Sequence, residues 1–437
     1  MNLSSHSLPP GSFGLPLIGE TLSFLKERDF LKNRQNKYGS IFKTKIFGQP
    51  TVVMIGSQAN RFIMSSHKDC FSHDGWPDTF KSLLGNKVLL LQEGDEHRRK
   101  RKLLMPTLHG SALSNYLPKI EEISRNYLQQ WEKLDSLVWF PQLGRMTFEI
   151  ASKLLIGSES GEVNDYLFKL FIELNRGLLT IPIRWHWTPY SRALQAREQI
   201  LAYIDKAIQH RQQQPTQDVL GLLIQAQDED GQGLTKEEIK SQALALLIGT
   251  NANTASMLTS LCMALGQHPH VLAKARAEQQ IFQTDKLSLE KLKLMVYLDL
   301  VLKEVERCYP PVGAGFRRVI KPFVFNDYYV PATWNAIYSI TGTHNDPQIY
   351  TSPELFDPER FNQEQTESKK IDFSLVGFGG GTRNCLGIAF AQTIIKVFTV
   401  NLLRSYTWEL LRNQDLTLNR VPVLHPRSGL KIRLSRI

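Results

Sequence analysis

Cysteine is scarce in this chain. Its 437 residues hold four, at positions 70, 262, 308 and 385, and none forms a C-x-x-C pair. That excludes a disulfide scaffold and argues against structural zinc. A chain this long buries roughly three-quarters of its extended surface, so its core needs no covalent staples. Any cysteine with a chemical role therefore acts singly, in a reducing compartment. The N-terminus lacks the apolar core of a signal peptide: Met1 to His6 is short and polar, and Leu8-Pro9-Pro10-Gly11-Ser12-Phe13-Gly14-Leu15-Pro16 is too rich in proline and glycine. The expected setting is soluble and cytoplasmic with no spanning anchor, and peripheral contact with a membrane is left open.

Nucleic-acid modules and Gly/Arg tracts are absent too, so the formal charge of +10 does not predict a nucleic-acid partner. Most bases are dispersed among acids. The exception is the run Arg98, Arg99, Lys100, Arg101 and Lys102, which follows Glu93, Asp95 and Glu96; its default reading is a solvated helix face.

One long stretch, Ser241 to Ala273, carries no Asp, Glu, Lys or Arg. Its middle, Gly249-Thr250-Asn251-Ala252-Asn253-Thr254-Ala255-Ser256, is too polar for lipid, which predicts a buried helix of a soluble protein. Thr235-Lys236-Glu237-Glu238 reads as a capping box at its start, and Gly266 with Pro269 ends it. A helix over 235–266 would run about 45 Å. Apolar residues also recur with helical spacing at Leu117, Ile120, Ile123, Tyr127, Leu128, Trp131 and Leu134, and at Leu292, Tyr297, Leu300, Val301 and Val305. Strands are few: a hairpin from Ile41 to Ile55 turning at Gly48-Gln49-Pro50, and alternation at Leu430, Ile432 and Leu434. Gln212 to Gly233 reads as a polar connection. The pattern is mainly α with a minor β region. With no repeat and no linker, it predicts one domain over 1–437, although ~150 residues per domain would suggest about three.

Phe378-Gly379-Gly380-Gly381-Thr382-Arg383-Asn384-Cys385-Leu386-Gly387 is the most informative stretch. Its glycines permit a tight turn and close approach to a flat ligand, and Gly387 opens an apolar helix containing Ala389, Phe390, Ile394, Ile395 and Phe398. A thiolate in such a turn, near backbone N–H groups and a helix N-terminus, can ligate iron. A phosphate loop would instead place Lys-Ser/Thr after the glycines.

These residues resemble the signature F-x-x-G-x-R-x-C-x-G of the cytochrome P450 (haem-thiolate) superfamily at Phe378, Gly381, Arg383, Cys385 and Gly387. The resemblance extends to Glu304-Val305-Glu306-Arg307 (E-x-x-R), Pro358-Glu359-Arg360-Phe361 (P-E-R-F), and Thr343-His344-Asn345-Asp346-Pro347-Gln348-Ile349-Tyr350. It implies a triangular helical domain, with a 1–20 lead-in and the 235–266 helix over a haem b (iron protoporphyrin IX) held by the 378–387 loop. Cys385 would be the axial ligand, a thiolate suited to oxygen activation. Arg383 would meet a propionate, as would His97, which replaces the commoner tryptophan, and Arg101 one turn later. Glu304, Arg307 and Arg360 would form a buried lock. Gly377 stands where the family often has proline, a change expected to be minor.

The family's A/G-G-x-D/E-T motif, whose acid and alcohol relay protons, falls on Gly249-Thr250-Asn251-Ala252-Asn253. The acid becomes Ala252 and the alcohol Asn253, with Thr254 next, which makes Asn253 and Thr254 the candidate catalytic residues beside Gly249. Three readings follow: a monooxygenase using O2 and two electrons from a redox partner, a haem-thiolate isomerase or dehydratase acting on a peroxide, and a non-catalytic haem-binding protein. The first is preferred. Its partner would be a ferredoxin or other acidic electron donor, drawn to Arg98, Lys100 and Lys102. Pro310-Pro311-Val312-Gly313-Ala314-Gly315-Phe316-Arg317 and the lead-in resemble soluble cyanobacterial-type retinoid and terpenoid hydroxylases. That resemblance implies an elongated apolar substrate (retinoid, terpenoid or fatty-acid-like), with Val312 and Ala314 on the substrate side. Trp76, Phe80, Phe171, Leu178 and Ile181 fall in segments the family uses as a pocket lid, and each is read as core first.

Overall fold

A computed structural model describes residues 6–27, 29–282, 286–362, 371–420 and 422–437. Residues 1–5 of the polar N-terminal stretch lie outside them. The chain resolves into two compact units, one of Met1–Pro77, Lys303–Cys385 and Asn419–Leu424, the other of Asp78–Leu302, Leu386–Leu418 and His425–Ile437.

The first unit is built on a five-stranded sheet in the order Ile41–Ile46, Gln49–Ile55, Asn335–Ser339, Ala314–Val319, Phe71–Ser72. Gln49–Ile55 runs parallel to Asn335–Ser339, and the other neighbours are antiparallel. Because side chains alternate across a strand, the register sorts the core into two faces. Phe42, Val53, Ile337 and Phe316 lie in line on one, and Ile41, Met54 and Tyr338 on the other. Both faces are packed. The hairpin turns one residue earlier than expected: Ile46 pairs with Gln49, so Phe47 and Gly48 form the turn, with φ of 51° and 75°. Positive φ at both central positions is what a two-residue type I′ hairpin requires. The lead-in lies along the first strand, where the Lys43 amide donates to Pro10 O at 2.7 Å and the Glu20 amide to Lys45 O at 2.8 Å.

The second unit is helical, with Gly110–Trp131, Trp139–Ile156, Glu162–Gly177, Pro189–Gln213, Lys236–Gln267 and Ile388–Ser405 as its longest members. Leu117, Ile120, Ile123, Leu128 and Trp131 are buried along Gly110–Trp131, as their spacing predicts, while Leu134 lies beyond the helix end and is exposed. The second apolar pattern spans two helices, Leu289–Leu294 and Val296–Cys308. The long helix starts at the expected capping box, with the Thr235 amide donating to Glu238 Oε2 at 2.8 Å and the Glu238 amide to Thr235 Oγ1 at 3.3 Å. It ends at Gln267, and a new helix begins at Pro269. The polar connection holds a helix of its own, Val219–Gln225, capped by Asp218, whose carboxylate also receives Arg211 at 2.6 Å. Lys431–Arg436 pairs with Leu137–Val138 and Tyr406–Leu410, burying Ile432 and Leu434 on alternate positions. No helix among the described residues is long and apolar enough to cross a membrane.

Candidate functional site

In the first unit, Glu304 and Arg307 sit one turn apart with fully buried side chains. Arg307 Nε and Nη2 donate to the two Glu304 oxygens at 2.8 and 2.7 Å, and Arg360 Nε donates to Glu304 Oε1 at 3.1 Å. The remaining donors of both arginines reach carbonyls. Arg307 caps His344, Pro353 and Leu355, and Arg360 caps Thr351 at 2.9 Å. A buried ion pair persists only when its spare donors are satisfied in this way, and removing one partner costs ~3–5 kcal/mol. The triad expected from the sequence is present, and it fixes the carbonyls of 351–355 to the Val296–Cys308 helix.

The His344 ring carries that order to the cysteine loop. The Val376 amide donates to Nε2 at 3.0 Å, so Nδ1 holds the proton and donates to Arg307 O at 3.2 Å. Burial pushes the His344 pKa down to about 3, so the ring is neutral. The loop then folds on itself, with the Gly379 amide donating to Val376 O at 2.9 Å and the Cys385 amide to Phe378 O at 2.7 Å. Gly381 has φ +63°, and a Cβ there would come within 2.6 Å of Met64 O, so glycine is needed at this position. Phe378 and Arg383 are partly exposed and Cys385 is exposed. None of the four cysteines is bridged, and Cys70 and Cys262 are buried. Cys308 touches Arg307 Nη2, and burial pushes its thiol up to about 12. Cys385 is thus the exposed thiol of the chain, on a loop with a fixed backbone.

In the second unit, Gly387 begins the Ile388–Ser405 helix. Just before it, Leu386 O accepts a hydrogen bond from His109 Nε2 at 3.1 Å, a contact the sequence did not signal. His97 is buried and Arg101 half-buried, one turn apart on Gly94–Leu104. The basic run differs from expectation. Arg98 pairs with Asp95, Arg99 with Asp228, Lys102 with Glu229, and Lys100 with both Glu96 and Glu238. Lys100 is fully buried and faces the chain's own acids, which corrects its assignment as a residue that attracts a donor. Arg98 and Lys102 remain largely exposed.

On the long helix, Gly249 is exposed, Ala252 and Asn253 are half-buried, and Asn253 Nδ2 donates to Gly249 O at 3.1 Å. Thr254 is buried, as is Asn251, whose Nδ2 donates to Gly144 O at 2.6 Å and Thr147 Oγ1 at 3.1 Å. Asn253 therefore shares the open face with Gly249, while Thr254 lies on the packed face with Asn251. Of the lid candidates, Phe171 and Leu178 are core, Trp76 packs on Phe316 with ring centroids 5.2 Å apart, Phe80 is half-buried and Ile181 is exposed.

The cysteine loop fits the thiolate side of a flat iron-bearing group. A Cβ built on Gly249 of the long helix, or on Gly387 at the start of Ile388–Ser405, would meet nothing within 4 Å. Within the loop, an exposed thiol two residues after Arg383 suits iron and an anionic edge. Among the described residues no cluster of three or more His, Cys, Asp or Glu side chains is placed to hold a metal ion.

The family model described as Cytochrome P450 matches residues 9–433. The chain is 41% identical over 436 residues to the putative cytochrome P450 120 of Synechocystis sp., covering 99% of this chain and 98% of that protein. It is 36% identical over 441 residues to cytochrome P450 26A1 of Gallus gallus, covering 97% and 89%. The solved structure described as retinoic acid bound cyanobacterial CYP120A1 matches with a TM-score of 0.94 at 40% identity, over 99% of this chain and 100% of that chain.

Proposed function

The chain belongs to the cytochrome P450 family of haem-thiolate monooxygenases, and from that premise we propose that it hydroxylates an elongated apolar substrate of the retinoid class with electrons from a ferredoxin. The observation that carries this reading is the retinoic acid in the related structure, which matches nearly the whole chain. Terpenoids and fatty acids share the long apolar shape and are the next candidates. The family match over 9–433 supports treating 1–437 as one functional haem domain. The four unbridged cysteines support a reducing, cytoplasmic setting.

In this reading Cys385 ligates the iron of a haem b, and His97, Arg101 and Arg383 meet its propionates. When bound, the haem iron supplies the dioxygen chemistry. The chain's own part is to hold the thiolate, exclude water and deliver protons. The Cys385 amide on Phe378 O and the neighbouring Asn384 amide on Gly381 O, at 3.3 Å, fix the Cys385 backbone. Asn253, on the open face, orients water through its amide in place of the acid that Ala252 lacks. Arg98 and Lys102, not Lys100, attract the acidic donor.

An isomerase or dehydratase reading is weakened by the cysteine loop, which keeps the spacing of the oxygen-activating members. The deciding experiment incubates the holoprotein with all-trans retinoic acid, NADPH, ferredoxin and its reductase, and in parallel with a lipid hydroperoxide alone. The expected result is a hydroxylated retinoid in the first arm only. Consumption of the hydroperoxide without reductant, or no turnover and no spectral response to any of the three substrate classes, would overturn the reading.

A further inference from the structure

Glu306 is buried one position before Arg307, yet the Glu304–Arg307–Arg360 network does not use it. Its carboxyl instead receives the backbone N–H groups of Gly377 and Phe378. With the Val376 amide on His344 Nε2, three consecutive amides are captured by two buried side chains. The Phe378 carbonyl then accepts the Cys385 N–H at 2.7 Å. Glu306 is thus one residue and one hydrogen bond away from the backbone that presents the thiol.

The approach is close. A Cβ on Gly377 would lie 2.6 Å from Glu306 Cγ and 2.7 Å from Oε1, distances that side chains do not adopt. Proline at 377, common in the family, would add that bulk and remove the N–H that Glu306 receives. We infer that Glu306 is a positioning residue for the haem-ligand loop, and that Glu306 and Gly377 form a matched pair in which each requires the other. The exchange of proline for glycine, expected to be minor, instead has a specific counterpart on the Val296–Cys308 helix. Burial pushes the Glu306 carboxyl up to about 7, while the two amides and Lys303 pull it the other way. The group accepts the amides in either protonation state. The inference rests on Cys385 being the iron ligand.

The test compares five holoproteins: wild type, Glu306→Gln, Glu306→Leu, Gly377→Pro and the double variant Glu306→Leu/Gly377→Pro. The readouts are the thiolate fraction of the reduced carbon-monoxide adduct, its rate of loss in mild urea and the iron reduction potential. Glu306→Leu strands two buried amides and should speed loss of the thiolate form by about tenfold or more. Glu306→Gln keeps an acceptor oxygen and should stay near wild type. Gly377→Pro alone should be at least as damaging as Glu306→Leu, and the double variant should be markedly better than the product of the two single effects. If Gly377→Pro yields no holoprotein, recovery of holoprotein in the double variant supports the pairing. Independent effects, or Leu and Gln at 306 behaving alike, would overturn it, as would a lowered unfolding midpoint with unchanged spectrum and potential. A wild-type adduct without the thiolate form would instead refute the haem-thiolate reading itself.

Discussion

Lys100 and Glu238 form a 3.0 Å ion pair sealed from solvent, their side chains 1% and 11% exposed. Glu238 is also the third residue of the long helix and closes its capping box on Thr235. One carboxylate therefore joins the basic helix Gly94–Leu104 to the first turn of Lys236–Gln267. Lys100→Met leaves that carboxylate buried without its cation and should cost ~3–5 kcal/mol in urea unfolding, with Lys100→Met/Glu238→Gln recovering part of the loss. Burial opposes the charge, yet the Thr235 amide and Lys100 hold the Glu238 carboxyl below its ordinary value. This contribution is present above the usual carboxylate range and fades as pH falls through the lowered pKa.

Arg98 and Lys102 make exposed pairs with Asp95 and Glu229. Exposed pairs contribute ~0–1 kcal/mol, so these cations can exchange partners cheaply. Arg98→Glu/Lys102→Glu should leave the unfolding midpoint nearly unchanged, yet slow reduction by ferredoxin at low ionic strength by about tenfold, the difference vanishing in high salt. Stopped-flow reduction across a salt series measures it. Equal rates for variant and wild type at low salt would remove this surface from the docking account.

His344 sets an acid limit on the fold. Its folded pKa of about 3 lies below the ordinary 6.5, so on acidification the unfolded chain binds a proton that the native ring refuses. Stability attributable to His344 is therefore unaffected above about pH 6.5 and falls by ~1.4 kcal/mol per unit between 6.5 and 3. His344→Gln should be less stable at neutral pH but show a shallower acid slope, lower by about one proton. Urea unfolding from pH 7.5 to 5 reads both quantities.

Cys385→Ser should abolish the thiolate form of the reduced carbon-monoxide adduct, because serine offers no thiolate to the iron. Cys308→Ser should retain it, since burial holds that thiol protonated. The reverse pattern would mean that the ligand was misassigned.

Much of this was legible in the sequence because the signals were local. The Thr235 and Glu238 side chains announce a capping box without reference to anything distant, and the alternation of Ile432 and Leu434 shows a strand with one wet face. Asn335–Ser339 and Ala314–Val319 were missed as strands because they are packed on both faces, which erases alternation; residues 335–339 are all buried. The buried triad of Glu304, Arg307 and Arg360 was legible only through the family resemblance, since 53 residues separate Arg307 from Arg360. Glu306 was not. An acid amid the apolar positions Leu300, Val301 and Val305 was the available clue, but its meaning depends on the Gly377 backbone, which only the fold brings beside it. The partners of the basic run were hidden for the same reason: Asp228, Glu229 and Glu238 are distant in sequence.

The open face of the long helix gives the most direct test of chemistry. Gly249→Ala places a methyl where nothing lies within 4 Å, so it should fold as well as wild type or gain ~0.5–1 kcal/mol from the better helix former, with haem content unchanged. Gly249→Leu fills the same space and should lower haem content or substrate affinity by about tenfold at similar stability. Asn253→Ala removes the amide that faces this space and should divert reducing equivalents from hydroxylated product to peroxide, several-fold by product and peroxide assays. Thr254→Val, on the packed face, should change that ratio little. If instead Thr254→Val uncouples the enzyme and Asn253→Ala does not, the proton path runs through the packed face, and Asn253 serves only to close its hydrogen bond to Gly249.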